Sequence, residues 1–303
     1  MRSSLQAVRR RACAILLLII IHLAAASALA QSPPANRPSD PPASPTPSPS
    51  LERRFLKNIL RDQRAIWTSP FRMSGKDATW LAPLALSTAV LISTDRGTAS
   101  SLANNDERLE VSRAISYTGA YYTTGGIAAT FYLIGRGRNN PRARETGLLG
   151  AEALIDGIIV TKALKTITQR PRPLEDTGRG RFFDGGGAFP SGHAVSAWSF
   201  AAIVAEEYRH RPLVRWSAYG LATAVSLSRF TVRKHFLSDV LVGSAIGYGI
   251  GRYVYRAHHD PSLDSGGAAT TTSATMMSQL FPSIAPQYNR HGHIYGVRLG
   301  WSF

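Results

Sequence analysis

Uncharged or nearly uncharged stretches recur along the chain between residues 78 and 254, separated by clusters of glycine, proline and charge. None of them shows the strict alternation of apolar and polar positions that a half-buried strand requires. Glycine and proline clusters are typical of the turns between helices. The pattern therefore predicts an all-α fold with helices at residues 78–94, 114–134, 146–164, 194–205, 213–228 and 237–254.

Hydropathy alone leaves the relation of these helices to a bilayer open. A membrane-spanning helix needs about 20 predominantly apolar residues, and several of the stretches are shorter than that. The third stretch also contains Glu152 and Asp156, and carboxylates are costly inside a bilayer. These features favour a helical bundle beside the membrane over a set of spans.

The chain begins with the features of an export signal. Four arginines before position 12 form a basic head, "AILLLIII" follows as an apolar run, and "SALA" supplies small residues before Gln31. We expect residues 1–30 to be a signal peptide or an uncleaved N-terminal anchor. Residues 31–50 contain eight prolines, which is typical of a disordered linker. In either case the protein enters the cell envelope.

The remaining chain divides into three parts. Residues 51–77 are basic and amphipathic, so they form either a helix on an anionic membrane surface or an ordinary solvated helix. The helical domain covers residues 78–256, and residues 257–303 form a flexible tail. This tail ends in "IYGVRLGWSF", where large apolar residues alternate with smaller or polar ones. That alternation predicts a strand-like segment.

Composition narrows the choice of partner. Lysine and arginine outnumber aspartate and glutamate by 35 to 19, which gives a net charge of +16. Such a balance indicates nucleic acid, anionic lipid or a phosphorylated substrate. The arginines are scattered over many loops, so we expect no nucleic-acid partner. Cys13, the only cysteine, lies in the leader, which excludes a disulfide framework and a thiol nucleophile in the mature chain.

The segment Pro190-Ser191-Gly192-His193 precedes a run of small apolar residues. Serine suits a helix N-cap and proline suits the first turn, so a helix is expected to begin here. Glycine lets a ligand approach the backbone, and free N–H groups at a helix start attract anions. His193 would then face a bound oxyanion; taken alone, the segment is explained as well by a capped helix with an incidental histidine.

A second cluster runs from Ser228 and Arg229 to His235 and Asp239. His235 and Asp239 are four residues apart, which places them on one face of a helix. A carboxylate there can hold one ring nitrogen and leave the other free as a nucleophile. Arg229 supplies a permanent cation whose planar shape suits phosphate. The alternative is a surface His–Asp pair at a helix start.

A third cluster, "KALKTITQRPRP", holds Lys165 and Arg172, which are seven residues apart and followed by Pro173. A helix that ends between the two would let both cations converge on one anion. Basic residues near a helix C-terminus are also ordinary partners of the helix dipole.

Together the clusters resemble the tripartite signature of the type 2 phosphatidic acid phosphatase / vanadium haloperoxidase superfamily. They supply Lys-x6-Arg-Pro from Lys165, Pro-Ser-Gly-His from Pro190 and Ser-Arg-x5-His-x3-Asp from Ser228, in that order. The alternative alignment of the first motif on Arg170-Pro171 would require a lysine seven residues earlier, where the chain has Ala163. The resemblance covers residues 145–255 and implies a six-helix bundle core.

The resemblance also implies a role for each matching residue. His235 would attack phosphorus and form a phosphohistidine, Asp239 would orient His235, and His193 would protonate the leaving oxygen and then activate water. The groups implied to hold the phosphoryl oxygens are Lys165, Arg172, Ser191, Gly192 and Arg229. No metal ion or other cofactor is implied, since these cations already supply positive charge around the transferring group.

Three activities fit this signature: a lipid phosphatase of the envelope, a soluble periplasmic acid phosphatase of broad specificity, and a haloperoxidase that uses vanadate as its cofactor. "FPSGHA" and the hydrophobic helices resemble the lipid-phosphatase branch. We therefore expect a membrane-associated phosphatase that acts on a phosphomonoester or pyrophosphate of a lipid, with its active site facing the periplasm.

Two other pairs of histidines resemble pairs of metal ligands. His258 and His259 precede Asp260, and His291 is separated from His293 by one glycine. Both pairs fall in the expected tail without a third ligand, so the sequence assigns them no metal ion.

Overall fold

The structure is a computed structural model that describes residues 51–102, 106–175, 179–265, 283–289 and 294–300. The expected leader and proline-rich linker, residues 1–50, lie outside the described residues. The chain divides into a first unit that ends at His259 and a second unit from Asp260 onward.

Helices account for the regular structure of the described part of the first unit. They are α1 (Leu51–Thr68), α2 (Gly75–Ser101), α3 (Asp106–Thr118), α4 (Tyr121–Gly137), α5 (Pro141–Thr168), α6 (Gly192–Glu207), α7 (Pro212–Thr231) and α8 (Leu237–His258). A 3-10 turn, Ser69–Arg72, joins α1 to α2. The prediction of an all-α fold is confirmed.

One predicted helix, residues 114–134, is divided in the structure. α3 ends at Thr118 and α4 begins at Tyr121. Between them Gly119 passes so close to α7 that a Cβ at this position would lie 2.1 Å from Cγ1 of Val225. The break thus coincides with a close contact to a distant helix, which hydrophobic periodicity does not report.

α6 lies at the centre of the first unit, where it packs against α4, α5, α7 and α8. Its apolar side chains belong to two buried clusters. One cluster contains Leu149, Ala153, Val160, Ile203, Ile250, Val254 and Tyr255. The other contains Ala128, Phe131, Ala143, Phe200, Val204 and Tyr208. The shortness of α6 and its small residues allow neighbours to surround it on several sides.

Three glycines of α8 form a ridge against α6. A Cβ at Gly243, Gly247 or Gly251 would lie 2.7, 2.4 or 2.3 Å from a backbone oxygen of α6 or its N-cap. Because residues four apart share one helix face, the ridge sets the distance between the two helices along its whole length. It also brings the N-terminus of α8 beside that of α6.

α1 is the helix predicted within the basic segment 51–77. Asn58, Ile59 and Asp62 are buried, where α1 packs against α5 and α8. Glu152 and Asp156 of α5 lie on the other side of this contact and are buried as well. The carboxylates that the sequence placed in an apolar stretch therefore face α1 within the bundle.

The described part of the second unit contains a single helical turn, α9 (Ser262–Ser265), and a hairpin of β1 (Ser283–Asn289) and β2 (Ile294–Gly300). The strands are antiparallel, with Ser283 opposite Gly300 and Asn289 opposite Ile294. The strand expected near the C-terminus is thus present as β2.

Within the described ranges, none of the helices has both the length and the apolar character needed to cross a bilayer.

We expect Gly247→Ala to lower the free energy of unfolding by about 1–3 kcal/mol, because the added methyl group collides with the backbone of Val195 and overpacks the contact. Gly249→Ala is the matched control, since a Cβ there meets nothing within 4 Å and alanine is the better helix former by up to about 1 kcal/mol. Urea denaturation followed by circular dichroism measures both. Equal effects of the two substitutions would contradict the ridge.

Candidate active site

The end of α5 and the start of α6 are held together by the loop between them. Gln169 adopts a left-handed conformation, with φ of 43°, and ends α5. The chain then folds back, so that Gly186 N–H donates to the Gln169 carbonyl at 2.9 Å and Ala188 N–H donates to that of Arg170 at 2.6 Å. Lys165, in the last turn of α5, thereby lies beside the segment that leads into α6.

The second motif joins the third through one backbone hydrogen bond. Ser191 N–H donates to the Asp239 carbonyl oxygen at 3.0 Å. Ser191 occupies the N-cap position of α6, but its side chain makes no capping hydrogen bond. Its Oγ is buried and has no partner among the described residues, so this hydroxyl is available to a ligand instead of the helix.

Gly192 is the first residue of α6 and is packed against α4. A Cβ here would lie 2.1 Å from the hydroxyl oxygen of Tyr121. The ring of Tyr121 also lies 6.5 Å, centroid to centroid, from that of His193. Tyr121 therefore forms one wall of the site, a position that the sequence analysis missed.

His235 precedes α8, whereas the sequence placed it on a helix face with Asp239. α8 begins at Leu237 because the Asp239 carboxylate turns back and accepts the N–H of Phe236 at 2.9 Å through Oδ2. The same oxygen lies 3.6 Å from Nδ1 of His235, and that nitrogen has no hydrogen bond within the described chain. The pair is adjacent, and a small ring movement would complete its hydrogen bond.

Arg170 holds the other oxygen of the Asp239 carboxylate. Its Nη1 donates to Oδ1 of Asp239 at 2.6 Å and its Nη2 donates to Oδ2 of Asp95 at 2.8 Å. The guanidinium lies 4.3 Å from the ring centroid of Phe236 and is 1% exposed. Asp95, on α2, also accepts hydrogen bonds from Ser238. One buried cation thus links two buried carboxylates.

The three predicted phosphate-binding cations have different partners. Lys165 donates to the carbonyl of Gly187, and Arg229 donates to the hydroxyl of Ser116 on α3. Arg172 lies beyond α5 and pairs with Glu175, with Nη1 and Oε1 3.3 Å apart and both side chains substantially exposed. Glu175 thus lies at the rim of the site, and the sequence analysis assigned it no role.

The charged groups of the three motifs shift one another's pKa values, which shows that the motifs lie close together. Burial, and then the charges of Arg229, His235, Lys165 and Arg172, lower the pKa of His193 to about 3. Burial and Arg172 likewise lower the pKa of Lys165 to about 8. His235 is buried, which lowers its pKa, while Asp239 acts in the opposite direction. In the free protein both imidazoles are therefore neutral at pH 7.

This arrangement is suited to a tetrahedral oxyanion. A bound anion would offset the repulsion among Lys165, Arg172 and Arg229, and it would meet the unpartnered hydroxyl of Ser191. Fixed cations and donors around an equatorial charge are what phosphoryl transfer requires. The structure therefore brings the three cations close to His193, His235 and Asp239. The roles of these residues stay a prediction.

Sequence reasoning missed Asp95, Tyr121 and Ser116, which come from α2, α4 and α3. It assigned no role to Arg170, which it met only as the wrong register of the first motif. Asp95 directly follows the predicted helix 78–94 and precedes Arg96, so the local pattern carried no signal that it is buried.

Comparisons with known proteins agree with the motifs. Residues 146–262 match the sequence model of the PAP2 superfamily, and this range contains all three motifs. Residues 146–262 are thus similar to this superfamily, as the resemblance implied.

Two curated relatives from Porphyromonas gingivalis align with the chain. A lipid A 1-phosphatase is 36% identical over 69 residues, which is 22% of this chain and 16% of the relative. A lipid A 4'-phosphatase is 29% identical over 70 residues, which is 23% of this chain and 29% of the relative. The chain thus spans less than a third of the length of either.

A solved structure, that of a transmembrane PAP2-type phosphatidylglycerolphosphate phosphatase from Bacillus subtilis, is also similar. The superposition covers 62% of this chain and 98% of that chain, at 23% sequence identity and a TM-score of 0.45.

We expect Arg170→Met to lower the free energy of unfolding by about 3–5 kcal/mol, because it leaves Asp95 and Asp239 as buried carboxylates without their cation. Arg172→Met, two residues away and half-exposed, is expected to change it by no more than about 0.5 kcal/mol. Urea denaturation measures both. Adding Asp95→Asn to Arg170→Met should recover part of the lost stability. A further loss would argue against the ion pairs that link Asp95 and Asp239 through Arg170.

Proposed function

We propose that this protein is a phosphatase that hydrolyses a phosphomonoester or pyrophosphate of a lipid through a phosphohistidine intermediate and without a metal ion. The observation that carries the proposal is the convergence of two neutral imidazoles, His193 and His235, with three cations in one site. The match of residues 146–262 to the PAP2 superfamily and the two lipid A phosphatase relatives support the same reaction class.

His235 is the nucleophile in this proposal. Asp239 lies beside Nδ1, so a hydrogen bond there places the proton on Nδ1 and leaves Nε2 unprotonated. Nε2 attacks phosphorus, the bond from phosphorus to the leaving oxygen breaks, and the phosphoryl group remains on His235. Asp239 then stabilises the positive charge that develops on the ring.

His193 moves the protons. An anion beside Arg229 and Lys165 reverses the field that lowers the His193 pKa, so substrate binding favours its protonated form. Protonated His193 gives its proton to the leaving oxygen. In the second step it takes a proton from water, the water oxygen bonds to phosphorus, and the bond to Nε2 of His235 breaks.

The exposed surface of α1 and α2 supports a lipid substrate. The side chains of Phe71 and Trp80 are 89% and 82% exposed, and Leu56, Leu60, Leu86 and Val90 are exposed along the same segment. Arg53, Lys57, Arg64, Arg72 and Lys76 lie among them. Apolar side chains interleaved with cations fit the interface of an anionic bilayer. We place the protein in the cell envelope with its active site facing the periplasm.

A substrate panel tests the activity. We expect hydrolysis of phosphatidate, undecaprenyl pyrophosphate or a lipid A phosphate presented in vesicles to exceed that of p-nitrophenyl phosphate in kcat/KM. EDTA is expected to leave kcat unchanged. Preference for the soluble ester would favour an acid phosphatase, and bromide oxidation with added vanadate would favour a haloperoxidase; either result would contradict the proposal.

The intermediate can be trapped with His193→Ala and p-nitrophenyl phosphate. Its leaving group needs no proton donor, so His235 should still be phosphorylated while hydrolysis of the phosphoenzyme stalls. We expect a burst of about one p-nitrophenol per enzyme and one added phosphoryl group in the intact mass. His235→Ala should show neither, and His210→Ala, in an exposed loop, should turn over normally. A burst from the His235 variant would refute the nucleophile.

The membrane face is tested with Trp80→Ser/Leu86→Ser. Burying a large apolar side chain contributes about 1.5–3 kcal/mol, so we expect at least about tenfold weaker binding to vesicles that contain phosphatidylglycerol. Leu213→Ser/Leu227→Ser removes two exposed leucines of α7 and is the matched control. Co-sedimentation measures binding. Equal weakening by both double substitutions would show that the exposed surface of α1 and α2 contributes no more to membrane binding than that of α7.

A further inference from the structure

A second group of chemically active side chains lies where α1, α5 and α8 meet. Asp62, Glu152 and His258 each offer a ligand atom, and these atoms lie within 4.8 Å of one another. Asp62 and Glu152 are 0% and 1% exposed, and the His258 side chain is 5% exposed. His258 was expected in a flexible tail without a third ligand, but it ends α8 and meets two carboxylates.

This group is distinct from the active site. Glu152 and Lys165 are 13 residues apart on the single helix α5, which corresponds to about 20 Å at 1.5 Å per residue. None of its three members takes part in the phosphatase chemistry proposed above.

The hydrogen bonds within the group leave negative charge uncompensated. Nε2 of His258 lies 2.9 Å from both oxygens of the Asp62 carboxylate. Oε1 of Glu152 accepts a hydrogen bond from Asn58 at 3.0 Å, while Oε2 is buried and has no partner in the described chain. A buried carboxylate oxygen without a partner is costly, and it is a free donor atom for a cation.

Asp156, one turn further along α5, adds to this imbalance. Its Oδ1 accepts from Gln63 at 2.8 Å, and its Oδ2 is also buried without a partner. The group thus contains three carboxylates, those of Asp62, Glu152 and Asp156. The cationic side chain shown in contact with them is His258.

We propose that Asp62, Glu152 and His258 bind a divalent transition-metal ion of the zinc class, which fastens α1 to α5 and α8. Two carboxylate oxygens and one imidazole nitrogen form a three-ligand set that zinc completes with water. Asn58 supports it from outside the ligand set by its hydrogen bond to Glu152.

A cavity of about 530 Å³ lies beside the group, and its walls include Asn58, Arg61, His258 and His259. Arg54 and Lys57 also line it, but these two and Arg61 are exposed, so water screens their repulsion of an incoming cation. Of the three proposed ligands His258 lines the cavity. Through Asn58 and His258 the cavity wall contacts the buried carboxylates of Glu152 and Asp62.

Zinc binding to the full chain, stripped with chelator and dialysed, tests the proposal. We expect calorimetry to show a site that Glu152→Gln removes, and zinc to raise the thermal midpoint of the wild type but not of this variant. Glutamine keeps the size and the bond to Asn58 while removing a costly charge, so the metal-free variant should be at least as stable as the wild type.

Glu145→Gln is the matched control, because it alters the neighbouring buried carboxylate that contacts His259 at 2.8 Å. We expect it to retain the zinc site that Glu152→Gln loses. The opposite pattern, or equal zinc binding by the wild type and Glu152→Gln, would overturn the proposal. So would the absence of zinc binding by the wild type.

X-ray absorption of the zinc-loaded wild type provides a test that requires no variant. We expect coordination by one imidazole and otherwise by oxygen. Two or more imidazoles would place the ion elsewhere, for example at His291 and His293, and would also overturn the proposal. None of these measurements depends on phosphatase turnover, so failure here is distinguishable from failure of the proposed function.

Discussion

The geometry of the candidate active site depends on the buried contact between Arg170 and Asp239. Arg170 fixes one oxygen of the Asp239 carboxylate at 2.6 Å, and the N–H of Phe236 fixes the other at 2.9 Å. With both oxygens held, the carboxylate faces His235 before any ligand arrives. Asp95 balances the charge of Arg170 from α2, so the same contact ties α2 to α8. Removing water from such a network strengthens each bond and makes each unpaired member costly.

The other charged groups of the site are cations without such a balance. Lys165 and Arg229 lie close enough to Arg172 that its charge lowers the pKa of each. Cations held together in a partly buried site repel one another, and this repulsion raises the free energy of the unliganded protein. In the proposed reaction a dianionic phosphoryl group would relieve it, and would relieve it more as charge spreads over the oxygens in the transition state. The carboxylate pair around Arg170 is buried, whereas the Arg172 side chain on the cationic side is 39% exposed.

The sequence predicted the helices and the three motifs because both are local patterns. Apolar runs and the motif spacings are properties of a few adjacent residues. The break at Gly119 was missed because it falls at a contact with a helix far along the chain. His235 was placed on a helix because spacing alone does not show that the Asp239 side chain caps α8. The partnership of Arg170 with Asp95 joins residues 75 positions apart, and no periodicity reports a contact of that kind.

α5 connects the two charged centres of the first unit. Its C-terminal turn carries Lys165, where a cation also suits the negative end of the helix dipole, and its middle carries Glu152 and Asp156. A bound anion would compensate the cationic end. The acidic middle faces α1 and keeps two buried carboxylate oxygens without partners. Because an apolar isostere at either carboxylate would avoid this cost, the presence of both is better explained by a cation that binds there than by packing.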